Sequence, residues 1–183
     1  MNVLSRRLGY FMTPQLTIYQ NLAPYVTDKR VLEVGFGTGF GTLQYARYTH
    51  DVMAIEIDRG NVEWAEWCMP IPNVTWMQGD ICAGVLGKYD VCVMIEVIEH
   101  IPRWQEALSR CRELLVPGGK LIISTPNANG TFQKNPLHGD EWTAKEFYDR
   151  LSMYFEDVTL YNFTLKEEKG VDTRVTPLVA VCG

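Results

Sequence analysis

The chain reads as a doubly wound α/β sheet, and three observations carry that reading. Short apolar strands alternate with helical stretches along most of the length. Two of the strands, within VCVMI and LIIS, are continuously apolar rather than alternating, as central strands covered on both faces must be. A glycine-rich turn joins the first strand to the helix after it, where open α/β sheets bind their ligands.

Taken in order, Thr13-Pro14 reads as an N-cap with proline in the first turn, so a helix is expected to run to about Tyr25. Arg30–Val34 is a strand and Phe40–Tyr48 a helix; Asp51–Ile57 is a strand and Asn61–Cys68 a helix. Val74–Gln78 and Asp90–Ile95 are strands, Trp104–Leu115 a helix and Lys120–Ser124 a further strand. Thr143-Ala144-Lys145-Glu146 has the spacing of a capping box, opening a helix to about Leu151. Phe155–Phe163 and Val175–Val181 read as a closing pair of strands.

At 183 residues this is one domain by size, with a helical segment over 1–27 and the α/β core over 28–183. A net charge of −5 and a pI near 5.2 exclude a protein that coats nucleic acid through an extended basic surface. Locally read RNA stays open. The five cysteines (Cys68, Cys82, Cys92, Cys111, Cys182) are odd in number, lack CxxC spacing and sit mostly among apolar neighbours, as reduced core thiols do. No run approaches a membrane span or a signal peptide, so a cytoplasmic protein is expected.

The first turn reads VLEVGFGTGFG, a GxGxG pattern at Gly35, Gly37 and Gly39. Position 40 is Phe, where a dinucleotide GxGxxG turn needs glycine, and no GK[ST] follows to make a P-loop. The second strand ends in Ile55-Glu56-Ile57-Asp58, where a carboxylate could accept from both hydroxyls of a ribose. The third is followed by Gln78-Gly79-Asp80-Ile81, where an acid and an apolar side chain could hold the edge and face of an adenine. Any one of these acids alone reads as a turn or cap residue; three in order on one rim do not.

With VLEVGFGTG, AIEID, QGDI, YDVCVMIEVIEHI and LLVPGGKLIISTPN, the chain resembles the class I S-adenosylmethionine-dependent methyltransferases over roughly residues 28–165. The resemblance implies a Rossmann-like, seven-stranded, mostly parallel sheet with an antiparallel last strand. It implies S-adenosyl-L-methionine as cofactor, with Glu33, Gly35, Gly37 and Gly39 around its methionine part, Glu56 at the ribose, and Asp80 with Ile81 at the adenine. Phe36 stands where the family has a smaller residue, and Asp58 competes with Glu56 for the ribose, Glu56 being favoured by its position at the strand end.

The fourth strand ends in Ile95-Glu96-Val97-Ile98-Glu99-His100, and in such folds this end faces the transferable methyl group. The [DNS]PP[YFW] element of many amide and amine methyltransferases is absent, and STPN lies at the fifth strand instead. Glu96, Glu99 and His100 stand at i, i+3 and i+4, so a helical turn would point all three to one side. A second histidine, His138, falls in LHGDEWT. ExxEH with a later HxxEWT resembles the metal-dependent small-RNA 3′-terminal 2′-O-methyltransferases, and ExxEH alone the ubiquinone-pathway O-methyltransferases. The resemblance implies Glu96, Glu99, His100 and His138 as ligands of Mg²⁺ or Mn²⁺, Glu96 also lining the cofactor, and a hydroxyl acceptor on a small molecule or an RNA 3′ end. Glu99, His100 and His138 are the candidate catalytic groups. Three readings stand side by side: a catalytic metal, a metal-free base at His100 or His138, and a structural cluster in which Glu99 merely favours a helix start. N- or C-methyl transfer and a non-catalytic cofactor-binding subunit are the competing functions.

Overall fold

The computed structural model describes residues 14–130, 141–167 and 174–183. Two short helices, α1 (Pro14–Gln20) and α2 (Ala23–Val26), lead into β1 (Arg30–Val34). There follow α3 (Phe40–Tyr45), β2 (Asp51–Glu56), α4 (Arg59–Cys68), β3 (Val74–Gln78) and β4 (Tyr89–Ile95). The chain closes with α5 (Trp104–Leu114), β5 (Leu115–Thr125), α6 (Ala144–Leu151), β6 (Val158–Tyr161) and β7 (Leu178–Cys182). The seven strands lie in the order β3-β2-β1-β4-β5-β7-β6. β7 pairs antiparallel with both β5 and β6 while every other pairing is parallel, so the last strand alone runs against the rest. This is the expected fold, doubly wound and Rossmann-like.

Strand alternation divides the core into two layers. Leu32, Cys92, Met94, Leu121 and Ile123 face the layer covered by α5 and α6. Val31, Val91, Val93 and Ile122 face the layer covered by α1, α3 and α4. Glu33 lies two residues after Val31, so the same period directs a carboxylate under those first helices. This one-residue fact of register shapes the site described below.

Several boundaries differ from the sequence reading, each for a local reason. Thr13 lies outside the described residues. The first helix stops at Gln20 instead of reaching Tyr25, because Pro24 offers no N–H to continue the ladder. The helix of residues 40–48 tightens into a 3₁₀ turn over Ala46–Tyr48. α4 begins at Arg59, since Asp58 is its N-cap and accepts from the Asn61 amide at 2.8 Å. β5 starts five residues early, at Leu115, and absorbs the Pro117-Gly118-Gly119 segment as an irregularity in its pairing with β4. β6 is cut short by Asn162, whose side chain accepts from the Thr164 and Lys166 amides and turns the chain. The capping box at Thr143 and Glu146 is present as expected. All five cysteines are free, four of them buried. Among the described residues no helix is long and apolar enough to cross a membrane.

Candidate active site

The glycine turn lies at the carboxyl end of β1, and three of its residues hold left-handed backbone: Gly35 (φ 72°), Gly37 (φ 57°) and Gly39 (φ 79°). Their surroundings differ. A Cβ on Gly35 would stand 2.5 Å from a Val97 methyl, so this glycine is required by close packing against the end of β4. A Cβ on Gly37 would meet nothing within 4 Å and would project into open space. That open face is what a small ligand would occupy. Phe36, the unusual residue of the motif, turns away from it: its ring is buried and packs on Trp76 at 4.8 Å between centroids.

Glu56 ties the turn to the rim. Its Oε2 accepts from the Gly37 amide at 2.9 Å and its Oε1 from the Asp58 amide at 3.0 Å. Asp58 is engaged as the cap of α4, which separates the two acids that compete for one role. Asp80 follows β3; its Oδ1 accepts from the Cys82 amide at 2.8 Å and its Oδ2 from the Arg103 guanidinium at 3.0 Å. Ile81 is 2% exposed and belongs to the core beneath the rim. Ile57 is instead 69% exposed on the rim, directly after Glu56. Sequence reading passed over Ile57 because it counted as the last residue of an apolar strand.

Glu33 is wholly buried. Thr42 and Tyr45 donate hydroxyl bonds to its Oε2 at 2.6 and 2.7 Å, and Oε1 is buried without a hydrogen-bond partner. Burial raises its pKa, opposed by the hydroxyls of Thr42, Tyr45 and Tyr19. Tyr19 lies on α1, so the first helix reaches the same acid. A carboxyl whose folded pKa is raised contributes stability that is complete below the unfolded pKa and is lost as pH rises through the folded value. Glu33→Gln is therefore expected to gain stability relative to the parent as pH rises above the ordinary carboxyl range. Thermal denaturation of both at several pH values checks this; a constant gap would contradict it.

The fourth strand's end is organised by β5. Glu96 is in a left-handed conformation (φ 55°) and its Oε1 accepts from the Ser124 hydroxyl at 2.8 Å. Thr125 donates to Glu99 Oε2 at 3.3 Å. Asn127 bridges Trp142, and the Ala128 amide bonds the Trp142 carbonyl at 3.0 Å, bringing Glu141 to the same rim. Two acids thus hang on the successive residues that end β5, Glu96 on Ser124 and Glu99 on Thr125. His100 Nε2 stands 3.9 Å from Glu99 Oε1, and that oxygen is buried without a hydrogen-bond partner. Burial pushes Glu96 up to about 7. Burial, then the neighbouring Glu96 charge, pushes Glu99 up to about 9.

The expected common face of Glu96, Glu99 and His100 does not form as a helical turn would make it. Only Ile98–His100 is helical, as a 3₁₀ turn, and the left-handed backbone at Glu96 turns its carboxylate to Ser124. Among the described residues no group of three or more His, Cys, Asp or Glu side chains could hold a metal ion, and His138 lies outside those residues. Trp142 is not an open wall: it is 2% exposed, with Trp104 at 5.3 Å between centroids and the Arg150 guanidinium 4.5 Å over its ring. Val97, between Glu96 and Ile98, is the residue that fills against Gly35. Val97 therefore holds the acid-bearing end of β4 against the glycine turn.

A sheet of order 3-2-1-4-5-7-6, a glycine turn after β1 and acids at the ends of β2, β3 and β4 define the class I methyltransferase architecture. The chain belongs to the methyltransferase domain family, whose model matches residues 11–163. It is 34% identical over 148 residues to a "probable S-adenosylmethionine-dependent methyltransferase" of Mycobacterium tuberculosis, covering 75% of this chain and 52% of that protein. A ubiquinone biosynthesis O-methyltransferase of Paraburkholderia phymatum is 29% identical over 126 residues, covering 66% of this chain and 54% of its own. The chain thus spans about half the length of the curated relatives it matches. A solved S-adenosylmethionine-dependent methyltransferase from Thermotoga maritima superposes with a TM-score of 0.77 at 17% identity, covering 98% of this chain and 95% of that one.

Proposed function

We propose that this chain is a methyltransferase that moves a methyl group from S-adenosyl-L-methionine to a hydroxyl oxygen, on a small molecule or the ribose of an RNA 3′ end. The observation that carries the reading is the continuity of the two halves. Val97 packs on Gly35, so the Glu99–His100 pair adjoins the turn whose open face fits a cofactor. The family membership and the ubiquinone-pathway relative support the same reading.

The residues fit the cofactor part by part. Gly35, Gly37 and Gly39 present their backbone to its methionine end, with Glu33 beneath them. Glu56 is anchored at the β2 rim, where a carboxylate accepts from ribose hydroxyls. Asp80 takes the adenine edge and the exposed Ile57 offers an apolar face; Ile81 supports them from the core. The cofactor supplies an electrophilic methyl on a sulfonium, so the protein's task is to orient the acceptor, exclude water and take up its proton. His100 is placed for that last step, with the Glu99 acid 3.9 Å from its Nε2 to orient it.

The cluster also supports a divalent cation. Two buried carboxylates beside each other need a proton or a cation to offset their charge, and an orphaned Glu99 oxygen facing an imidazole suits Mg²⁺ or Mn²⁺. Glu99 and His100 would be its central ligands; Glu96 is turned to Ser124, and His138, which lies outside the described residues, is the further ligand that the reading calls for. Such an ion lowers the pKa of a bound hydroxyl. Calorimetric titration of Mn²⁺ into protein saturated with S-adenosylhomocysteine is expected to show micromolar binding that His138→Ala and His100→Ala abolish. No binding, with or without a catechol or diol present, would leave the pair as a metal-free base. The described elements form one sheet with its two covering layers, which supports reading 28–183 as one catalytic core behind the helical segment 1–27.

A further inference from the structure

We infer that Arg103 is a positioning residue for cofactor specificity: it orients the Asp80 carboxylate so that the adenine amino group is read. The inference rests on the reading of Asp80 as the adenine contact. Asp80 is held at both oxygens. Oδ1 accepts from the Cys82 amide at 2.8 Å, within its own loop, and Oδ2 from Arg103 Nη2 at 3.0 Å. The first contact is local and would leave the carboxylate free to turn about its side-chain bonds. The second comes from the far side of the sheet's rim, at the N-terminal end of α5, and fixes the plane.

Arg103 is itself anchored. Its Nη1 donates to Glu106 Oε2 at 3.0 Å, one turn along α5. The Cys82 thiol lies 3.8 Å from the Arg103 carbonyl, closing the two loops on each other a second time. The guanidinium thus gives one bond to each of two carboxylates and ties Asp80 to the first turn of α5. Each Asp80 oxygen keeps a second lone pair, so the orientation set by Arg103 decides which direction an exocyclic amine must come from. A purine carrying a carbonyl there would bring an acceptor against a carboxylate, and a well-placed hydrogen-bonding site rejects such an analogue strongly. Arg103 also stands three residues after His100. The loop that carries the acceptor-side pair is thus the loop that sets the adenine reader.

The test compares S-adenosylhomocysteine with S-inosylhomocysteine, in which the amino group is replaced by a carbonyl oxygen, by calorimetry on the full chain. The parent is expected to prefer the adenosine ligand at least tenfold. Arg103→Ala should cut that preference to within about threefold of unity while its affinity for the inosine ligand stays nearly unchanged; Arg103→Lys should restore only part. The side chain is 57% exposed, so melting temperature should hold in the variant and separates specificity from folding. Asp80→Asn is measured beside them. If Asp80→Asn loses the preference and Arg103→Ala keeps it, Asp80 reads adenine without Arg103 and the inference fails alone. If Asp80→Asn keeps the preference, the Asp80 reading fails and takes the inference with it. If Arg103→Ala raises the preference, the guanidinium competes with adenine instead of positioning its partner, which also overturns the inference.

Discussion

Gly35→Ala is expected to destabilise the chain by about 2–5 kcal/mol, lowering its melting temperature by roughly 5–15 °C. Two costs add. An L-residue at φ 72° is strained by about 1–2 kcal/mol. The added methyl would also stand 2.5 and 2.8 Å from the two Val97 methyls, so the glycine turn and the end of β4 must move apart. Because Val97 lies between Glu96 and Ile98, that movement also disturbs the acid cluster. Gly37→Ala is the informative partner. It carries the φ strain alone, about 1–2 kcal/mol, since its methyl meets nothing within 4 Å. That methyl projects into the face read as the cofactor's, so binding of S-adenosylhomocysteine should fall well beyond the small loss of stability. Urea denaturation and calorimetry on the two variants separate packing from binding. Equal stability losses would mean that Val97 yields without cost.

Glu99→Gln is expected to lower turnover by about 10²–10⁴-fold, the range for losing a positioned proton-transfer group or its equivalent. The amide has the same shape, and an acid pushed up to about 9 is already neutral near pH 7, so folding should be retained and stability should not fall. Affinity for S-adenosylhomocysteine should also hold, because Glu99 hangs on Thr125 at the acceptor side. The assay uses whichever diol or catechol gives the parent its highest rate. Turnover within a few-fold of the parent would assign Glu99 to structure and move the chemistry elsewhere.

What was legible in the sequence followed from how locally each feature is coded. The carboxyl ends of β1, β3 and β4, the glycine turn and the Thr143–Glu146 capping box are each written within a few residues, and each is where it was expected. Its position at the strand end favoured Glu56 over Asp58; the structure engages Asp58 in capping α4 and leaves Glu56 joining two loops. Contacts made across the sheet left no signal. Arg103 reaches Asp80 over 23 residues, and Tyr19 and Tyr45 come to Glu33 from two different helices. The spacing of IEVIEH misled in one respect, because i, i+3 and i+4 share a face only on a helix, and Glu96 adopts left-handed backbone instead. The early start of β5 was hidden by Pro117-Gly118-Gly119, which reads as a turn and is instead absorbed as an irregularity at the strand's edge.

The central claim, a cofactor surface and an acceptor surface that adjoin but divide the work, meets its most direct test in one set of S-adenosylhomocysteine titrations. The parent should bind. Glu56→Ala should weaken binding by about 1.5–3 kcal/mol, as expected for losing a charged hydrogen-bond acceptor, while His100→Ala should leave it unchanged. No binding by the parent, or equal losses in the two variants, would contradict the division and leave the glycine turn and its acids without the role proposed for them.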